Sequence, residues 1–376
     1  MSASGSVVVI GGGIVGTACA LECARGGLEV TLLERDVVCG SGATAAGMGQ
    51  IVVMDDNAAE LALTRYASLL WDTVAPDLPS DCEYERCGTI WVAADDEERA
   101  AVERKAHLYC ESGVQSQVLD AAALYAYEPN LRAGLTGGLR VPGDAILYAP
   151  RAAAALLAQA QAMGARALYG CRVQALTDEG VLLDDGTCLE SSAVVVASGA
   201  HAVELLPELP VRPRKGHLVI TERYPNIVHH QVVELGYLKS AHGSERDSVA
   251  FNVQPRPTGQ LLIGSSRQFD VADARIDQVI VRRMLDRALA YLPVLGALDA
   301  VRIWTGHRAA TPDGLPYIGP LPGHERVLLA TGHEGLGITT SLATGRLIAD
   351  HLLKRKPDID PTPYLPARMH REATHA

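Results

Sequence analysis

Several things are missing from this chain, and each absence excludes a class of protein. Its eight cysteines are Cys19, Cys23, Cys39, Cys82, Cys87, Cys110, Cys171 and Cys188, and none forms a CxxC pair. A zinc or iron–sulfur centre is therefore not expected, and no metal is assigned. Cys19 and Cys23 sit one helical turn apart and read as small core residues. The cysteine usage fits a reduced, cytoplasmic protein. No apolar run is long enough to span a bilayer, so no membrane insertion is expected. The opening MSASGS lacks the basic region of a signal peptide. Positive charge is also scarce: 33 Lys and Arg against 44 Asp and Glu leave a net charge of −11, which disfavours nucleic acid and anionic membrane surfaces as partners. Internal repeats and low-complexity linkers are absent as well.

What is present begins at Val7, with VVVIGGGIVGTACALECARGGLEVTLLER. Val7 to Ile10 reads as a buried parallel strand ended by glycines. Gly11, Gly13 and Gly16 have the GxGxxG spacing. The first glycine serves a tight turn, the second lets backbone approach a pyrophosphate, and the third lets helix pack on strand. A helix from about Ile14 to Arg25 then aims its N-terminal N–H groups at the phosphates. Gly26-Gly27 ends it, Val30 to Leu33 forms a second strand, and Glu34 follows about 20 residues after the glycines, where a carboxylate can accept both ribose hydroxyls. Glu34 would repel a 2′-phosphate. A second glycine-dense stretch, LLATGHEGLGITTSLATGRLIADHL from Leu328, reads as a buried strand, a turn and a helix from Ile338 to Leu353. A nicotinamide enzyme has no need of that second turn, so the pair of motifs favours a flavin.

The length, 376 residues, suits roughly two domains. Ala94 to Ala106 is a charge-rich helix face with a solvated structural role. Ala152 to Met163 is an alanine-rich helix, followed by strand-like pieces at 171–173 and 181–183. Val194 to Ala197 reads as a buried strand returning to the sheet, with Ser198-Gly199 as a tight turn beside the cofactor. Between about 205 and 300, HLVITE, VVELGYLKS, VAFNVQP and QLLIGSS read as an antiparallel sheet. They are followed by a helix from Asp277 to Leu292 with Asp277 as its cap. From about Lys356 the chain is Pro-rich and polar and reads as a surface tail. The fold class is therefore α/β: a Rossmann-like FAD-binding domain from 1–80, 145–205 and 300–376, interleaved with an α+β substrate domain from 81–144 and 206–299 built on an antiparallel sheet.

The N-terminal fingerprint, GATAAGMGQ at Gly42, the VVVASGA strand, HRAATPDGLPYIGP at His307 and the final TGHEGLGITTS together resemble the FAD-dependent D-amino-acid oxidase family. Within it the chain is similar to the glycine oxidase and D-hydroxyproline dehydrogenase branch. RPRKGHLV at Arg212, MDDNAAELALTRY at Met54 and the GHEGLGITT turn look most like the dehydrogenase type. The resemblance implies that Gly11, Gly13, Ile14, Val15, Gly16, Glu34 and Arg35 hold the adenosine and pyrophosphate, with Thr44, Ala45, Gly47, Met48 and Gly49 along the flavin. It places Val173 at the adenine and Gly199 nearby. Gly332, Gly335, Leu336, Gly337, Ile338 and Thr339 would wrap the flavin pyrimidine, where the last helix presents its positive end. Arg308 matches the arginine that grips an amino-acid carboxylate, for which a guanidinium fork is suited. His307, His333 and Glu334 should lie near it.

Two departures matter. Glycine oxidases carry a second basic residue where this chain has Glu334 to Leu336, and an acid there could hold a substrate ammonium or a ring hydroxyl. The substrate strand carries Asn252 and Gln254 in place of larger or apolar groups, which points to a polar substrate. The FAD is expected to be non-covalent, since no cysteine follows Cys188 and no histidine lies in GATAAGMGQ. The activity implied is oxidation of a small amino acid, most of all a D-proline type such as cis-4-hydroxy-D-proline. The alternatives are a glycine, sarcosine or D-amino-acid oxidase, a nicotinamide-dependent dehydrogenase, or the flavin subunit of a hetero-oligomeric dehydrogenase. The partners implied are the amino-acid substrate and either a homo-oligomeric copy or electron-transfer subunits.

Overall fold

The computed structural model describes residues 5–236 and 247–369. Its first layer is a six-stranded sheet in the order Tyr317–Leu321, His324–Thr331, Ala193–Val196, Ser6–Ile10, Glu29–Glu34, Arg166–Tyr169. All neighbours run parallel except the first pair, which is a hairpin. Side chains of the central strands alternate between two buried faces, so residues 7–10, 30–33 and 193–196 are almost wholly apolar, whereas the edge strand Arg166–Tyr169 is largely exposed. Val7, Val9, Leu32, Val195 and Leu328 pack with the helices Ile14–Arg25, Ala149–Ala162 and Gly337–Leu352. Val8, Ile10, Leu33, Val194 and Val196 face the other way, toward Val173, Val181 and Leu183 of a small three-stranded sheet. The first and last of those helices lie very close: a Cβ on Gly345 would stand 2.6 Å from the Ala18 carbonyl oxygen. Cys19 and Cys23 are buried at this contact, and all eight cysteines are free thiols.

The second layer is an eight-stranded sheet, ordered Ala300–Ala310, Arg212–Arg223, Gln260–Phe269, Ser248–Pro255, Gln231–Glu234, Thr89–Ala93, Gly137–Val141, Gln117–Asp120. It is antiparallel apart from the parallel pairing of Gln231–Glu234 with Thr89–Ala93. The helix Gln278–Tyr291 covers it with Ile280, Val281, Met284 and Ala288, and Asp277 caps that helix by accepting from the Val279 and Ile280 N–H groups.

Four sequence expectations change. The strand Ala300–Ala310, assigned above to the cofactor-binding part, pairs along its length with Arg212–Arg223 and is the edge of the second sheet. The helix Asp96–Glu111 is not solvated all round, because Val102, Lys105 and Tyr109 are buried. Lys105 forms an ion pair with Asp55 and lies 4.5 Å from the Trp91 ring centroid. The tail is tied down as far as residue 369: Tyr364 is buried and donates to the Ala59 carbonyl at 2.6 Å, and Arg368 donates to Asp313 at 2.6 Å. Of VVELGYLKS, the strand ends at Glu234, and residues 237–240 lie outside the described residues. Among the described residues no helix is long and apolar enough to cross a membrane, and no group of three potential metal ligands occurs.

Candidate active site

A continuous cleft runs between the two sheets, from the C-terminal ends of Ser6–Ile10 and Glu29–Glu34 to the strand Ala300–Ala310. Its floor at one end is the glycine turn. Gly11 has φ of +107°, and a Cβ there would lie 2.7 Å from the Ala197 carbonyl oxygen, so only glycine fits. Gly13 is in extended conformation and gives its helix no side-chain cap. The Ile14 N–H donates to Thr44 Oγ1 at 3.0 Å, which ties the helix start to GATAAGMG. Glu34 is buried at the end of its strand, where Oε2 accepts from the Gly12 N–H at 2.6 Å and Oε1 from the Asp36 N–H at 2.8 Å. Arg35 Nη2 lies 2.9 Å from His201 Nε2, and Glu204 receives both His201 and Arg172 at 2.7 and 2.9 Å. That polar cluster closes the end of the cleft beside Val173 and Gly199.

At the other end the helix Gly337–Leu352 opens onto the cleft, also without a side-chain cap. Gly335, Gly337 and Ile338 line this wall, opposite Gly47, Met48 and Gly49. Two helix N-termini thus point into one cleft, and the free N–H groups and helix dipoles of both favour negative charge there.

Five residues expected on the cofactor lie outside the cleft wall. Gly16 packs against the strand, where a Cβ would run into the Gly11 carbonyl. Ala45 faces a separate chamber behind the GATAAGMG segment. Gly332, with φ of +82°, turns the chain out of its strand. Leu336 precedes the last helix and packs on the cluster around Val52 and Trp91. Thr339 Oγ1 donates to the Gln50 carbonyl at 3.0 Å, and so supports the wall from behind.

Arg308 lies in the cleft, half-buried, with its guanidinium across the face of Gly216. A Cβ at Gly216 would stand 2.6 Å from Nη1, so the bare backbone there makes room for the fork. Nη1 donates to the Ser266 carbonyl at 3.0 Å, which fixes the orientation of the group. Glu334, at φ of +48°, sets its carboxylate between Arg214 at 3.0 Å and Arg267 at 3.5 Å. Its charge is thus shared with two cations, which weakens the expectation that it holds a substrate ammonium. His333 is buried; its Nε2 lies 2.9 Å from Thr344 Oγ1, and burial pushes its pKa down to about 3. It is neutral and held in place by packing. His307 donates through Nε2 to the Val271 carbonyl at 3.2 Å.

The sequence reading missed two features of this pocket. His217 lines it, accepting the Asp277 N–H on Nε2 at 3.0 Å, with Nδ1 3.1 Å from Ser266 Oγ; burial, then Lys215, lowers its pKa. Gln50 and Asn252 form a reciprocal amide pair on the wall, with N–O distances of 3.0 and 3.3 Å. The first sits inside the quoted RPRKGHLV motif but carried no spacing signal. The second joins residues 202 positions apart.

The fold is that of a two-layer dinucleotide-dependent oxidoreductase, with a glycine turn opening its first helix, a buried carboxylate at the end of the next strand and a second helix N-terminus aimed at the same cleft. The chain matches the FAD dependent oxidoreductase (DAO) family over residues 6–351 and belongs to it. It is 30% identical to glycine oxidase of Pseudomonas aeruginosa over 96% of this chain and 98% of that protein. The crystal structure of glycine oxidase from Geobacillus kaustophilus superposes with a TM-score of 0.85 at 27% identity, over 97% of this chain and 99% of that one. L-proline dehydrogenase from P. horikoshii shares the fold with a TM-score of 0.88 at 23% identity, covering 99% of each chain. The protein is thus an FAD-dependent oxidoreductase, and the cleft's glycine cradle and uncapped helix starts fit that cofactor.

Proposed function

We propose that the chain oxidises a small amino acid at its C–N bond, preferring a cyclic D-proline type such as cis-4-hydroxy-D-proline. The observation that carries this reading is Arg308, a guanidinium fork seated over Gly216 in the cleft that holds the cofactor motifs. Arg308 would bind the substrate carboxylate through two charge-assisted hydrogen bonds and so fix the α-carbon in place. FAD, when bound, would accept the α-hydrogen as hydride. His333 is buried with its Nε2 on Thr344 Oγ1, and burial pushes its pKa down to about 3, so we give it a packing role and not that of acid or base. The amine entering deprotonated needs no base. The Gln50–Asn252 pair keeps spare amide donors and acceptors on the wall, which supports a substrate bearing a hydroxyl. The full-length likeness to the Pseudomonas aeruginosa glycine oxidase favours glycine or sarcosine as the second reading.

Anaerobic bleaching of the flavin band tests both. Cis-4-hydroxy-D-proline and D-proline should bleach it at lower concentration than glycine, sarcosine or D-alanine. Bleaching by glycine or sarcosine alone would reverse the preference. A flavin-replete protein bleached by none of them would overturn the assignment of a free-standing amino-acid oxidase and leave the flavin subunit of a complex.

A further inference from the structure

Behind the segment 42–49 lies a second chamber, and Gly42, Ala46, Gly47 and Met48 are walls of both. The short helix Gly42–Ala46, the residues Gly47 and Met48 after it, and Thr305 separate it from the cleft proposed for the flavin. The segment is seated close on the second sheet: a Cβ at Gly264 would meet Met48 Sδ at 3.2 Å. The two chambers differ in chemistry. The cleft presents Arg308, His217 and the amide pair, whereas the second chamber is walled by Ile220, Leu262 and Leu147 with two aromatic rings, Tyr148 and Trp304. Trp304 is oriented by its indole N–H, which donates to the Ala46 carbonyl at 3.3 Å. Tyr148 is 40% exposed at the rim, so the chamber opens to solvent. Its polar lining comprises Glu83, Gln254, Arg256, Arg302 and Thr305, with the Arg302 guanidinium 5.7 Å from the Trp304 ring centroid. Arg256 is held by Glu83 at 2.6 Å and lies 5.1 Å from the Tyr148 ring centroid. Gln254 is 1% exposed, and its amide N–H₂ donates to the Met48 carbonyl at 2.8 Å. That bond settles the amide orientation and leaves Gln254 Oε1, a buried acceptor, without a hydrogen-bond partner.

We infer that this chamber binds a planar aromatic oxidant of the quinone class, which collects the electrons that the cleft chemistry leaves on the cofactor. Apolar side chains beside two aromatic rings suit a fused aromatic plane. Arg256 can donate to a quinone carbonyl, and the bare Gln254 oxygen can accept from the hydroxyl that this carbonyl becomes. The quinone takes up two electrons and two protons and leaves as the hydroquinone. With backbone between the two chambers no hydride passes directly: two electrons cross from the reduced cofactor, which releases one proton to solvent, and the quinone takes both of its protons from water. The inference rests on the flavin site and not on which amino acid reduces it.

The test therefore avoids the amino acid. The FAD-loaded protein is reduced anaerobically by light with EDTA as the electron donor and mixed with menadione, a naphthoquinone, in stopped flow. Reoxidation should saturate with menadione concentration. Ile220→Trp, which fills the chamber, should abolish saturation, and Tyr148→Ala should raise the half-saturating concentration roughly three- to ten-fold. Photoreduction of the flavin in both variants should stay at the wild-type rate. A second readout needs no turnover: menadione should quench the flavin-free protein's tryptophan fluorescence saturably, and Trp304→Phe should remove that quenching, since Trp71 and Trp91 are buried. Reoxidation linear in menadione and indifferent to both variants, or quenching that survives Trp304→Phe, would overturn the proposal. Failure of every amino acid to bleach the flavin would leave it standing.

Discussion

Replacing Arg308 is the sharpest test of the cleft. One of its nitrogens is engaged by the Ser266 carbonyl, and the rest of the fork is available over Gly216. A lysine keeps the charge but is a point donor that cannot span a carboxylate. Losing one charge-assisted hydrogen bond costs about 1.5–3 kcal/mol, or roughly 10- to 100-fold in substrate half-saturation. Arg308→Met removes both bonds, but the site is half-buried and water-screened, so the lower part of the doubled range applies, about 10²–10³-fold. Gly216→Ala should imitate Arg308→Lys without touching the arginine, because its Cβ would stand 3.0 Å from the guanidinium carbon and displace the fork. The assay is the anaerobic flavin-reduction rate against substrate concentration, with flavin absorbance confirming that FAD stays bound. Half-saturation within about two-fold of wild type in Arg308→Met would refute carboxylate binding there. Loss of flavin in all three variants would mean that they damage the fold instead.

Three further outcomes are expected. Gly16→Ala should destabilise by about 1–3 kcal/mol or more and shed FAD on gel filtration, because its Cβ meets the Gly11 carbonyl; retention of both Tm and flavin would contradict that packing. Lys105→Met should lower stability by about 3–5 kcal/mol in urea titration, since it strands the buried Asp55; a change below about 1 kcal/mol would show the pair to be dispensable. Burial pushes the Asp144 carboxyl up to about 7 and, with Asp56 and Asp55, pushes Glu60 up to about 8. The folded state then binds more protons than the unfolded one. The stabilisation is complete below the ordinary carboxylate pKa and is lost as pH rises through 7 to 8. Thermal melts from about pH 5 to 9 should show Tm falling more steeply in the wild type than in Asp144→Asn or Glu60→Gln, and parallel curves would count against the shifts.

The features legible in the chain were those whose physics is local. GxGxxG, the strand before it and Glu34 lie within one strand–helix–strand unit, so spacing alone carried them. The cap at Asp277 was readable for the same reason. Residues 300–310 were grouped with the cofactor-binding part by their place beside the closing motifs, and nothing local says that they pair with Arg212–Arg223. The tail looked like surface because proline and charge dominate it, yet a single tyrosine hydroxyl and one arginine pin it to elements about 305 and 55 residues away. Lys105 reads as a solvated charge until Asp55 and the Trp91 ring surround it.

The sequence by itself determined that a dinucleotide cradle opens the chain and that a second glycine-dense turn closes it, while the family resemblance pointed to Arg308. Only the tertiary structure decided what that arginine stands on, which cations share Glu334, that Gln50 meets Asn252, and that a second chamber lies behind residues 42–49. A turn or a cap is specified by a few neighbouring dihedrals. The meeting of Arg214 with Glu334, 120 residues apart, depends on how two sheets pack, and that is a property of the whole core.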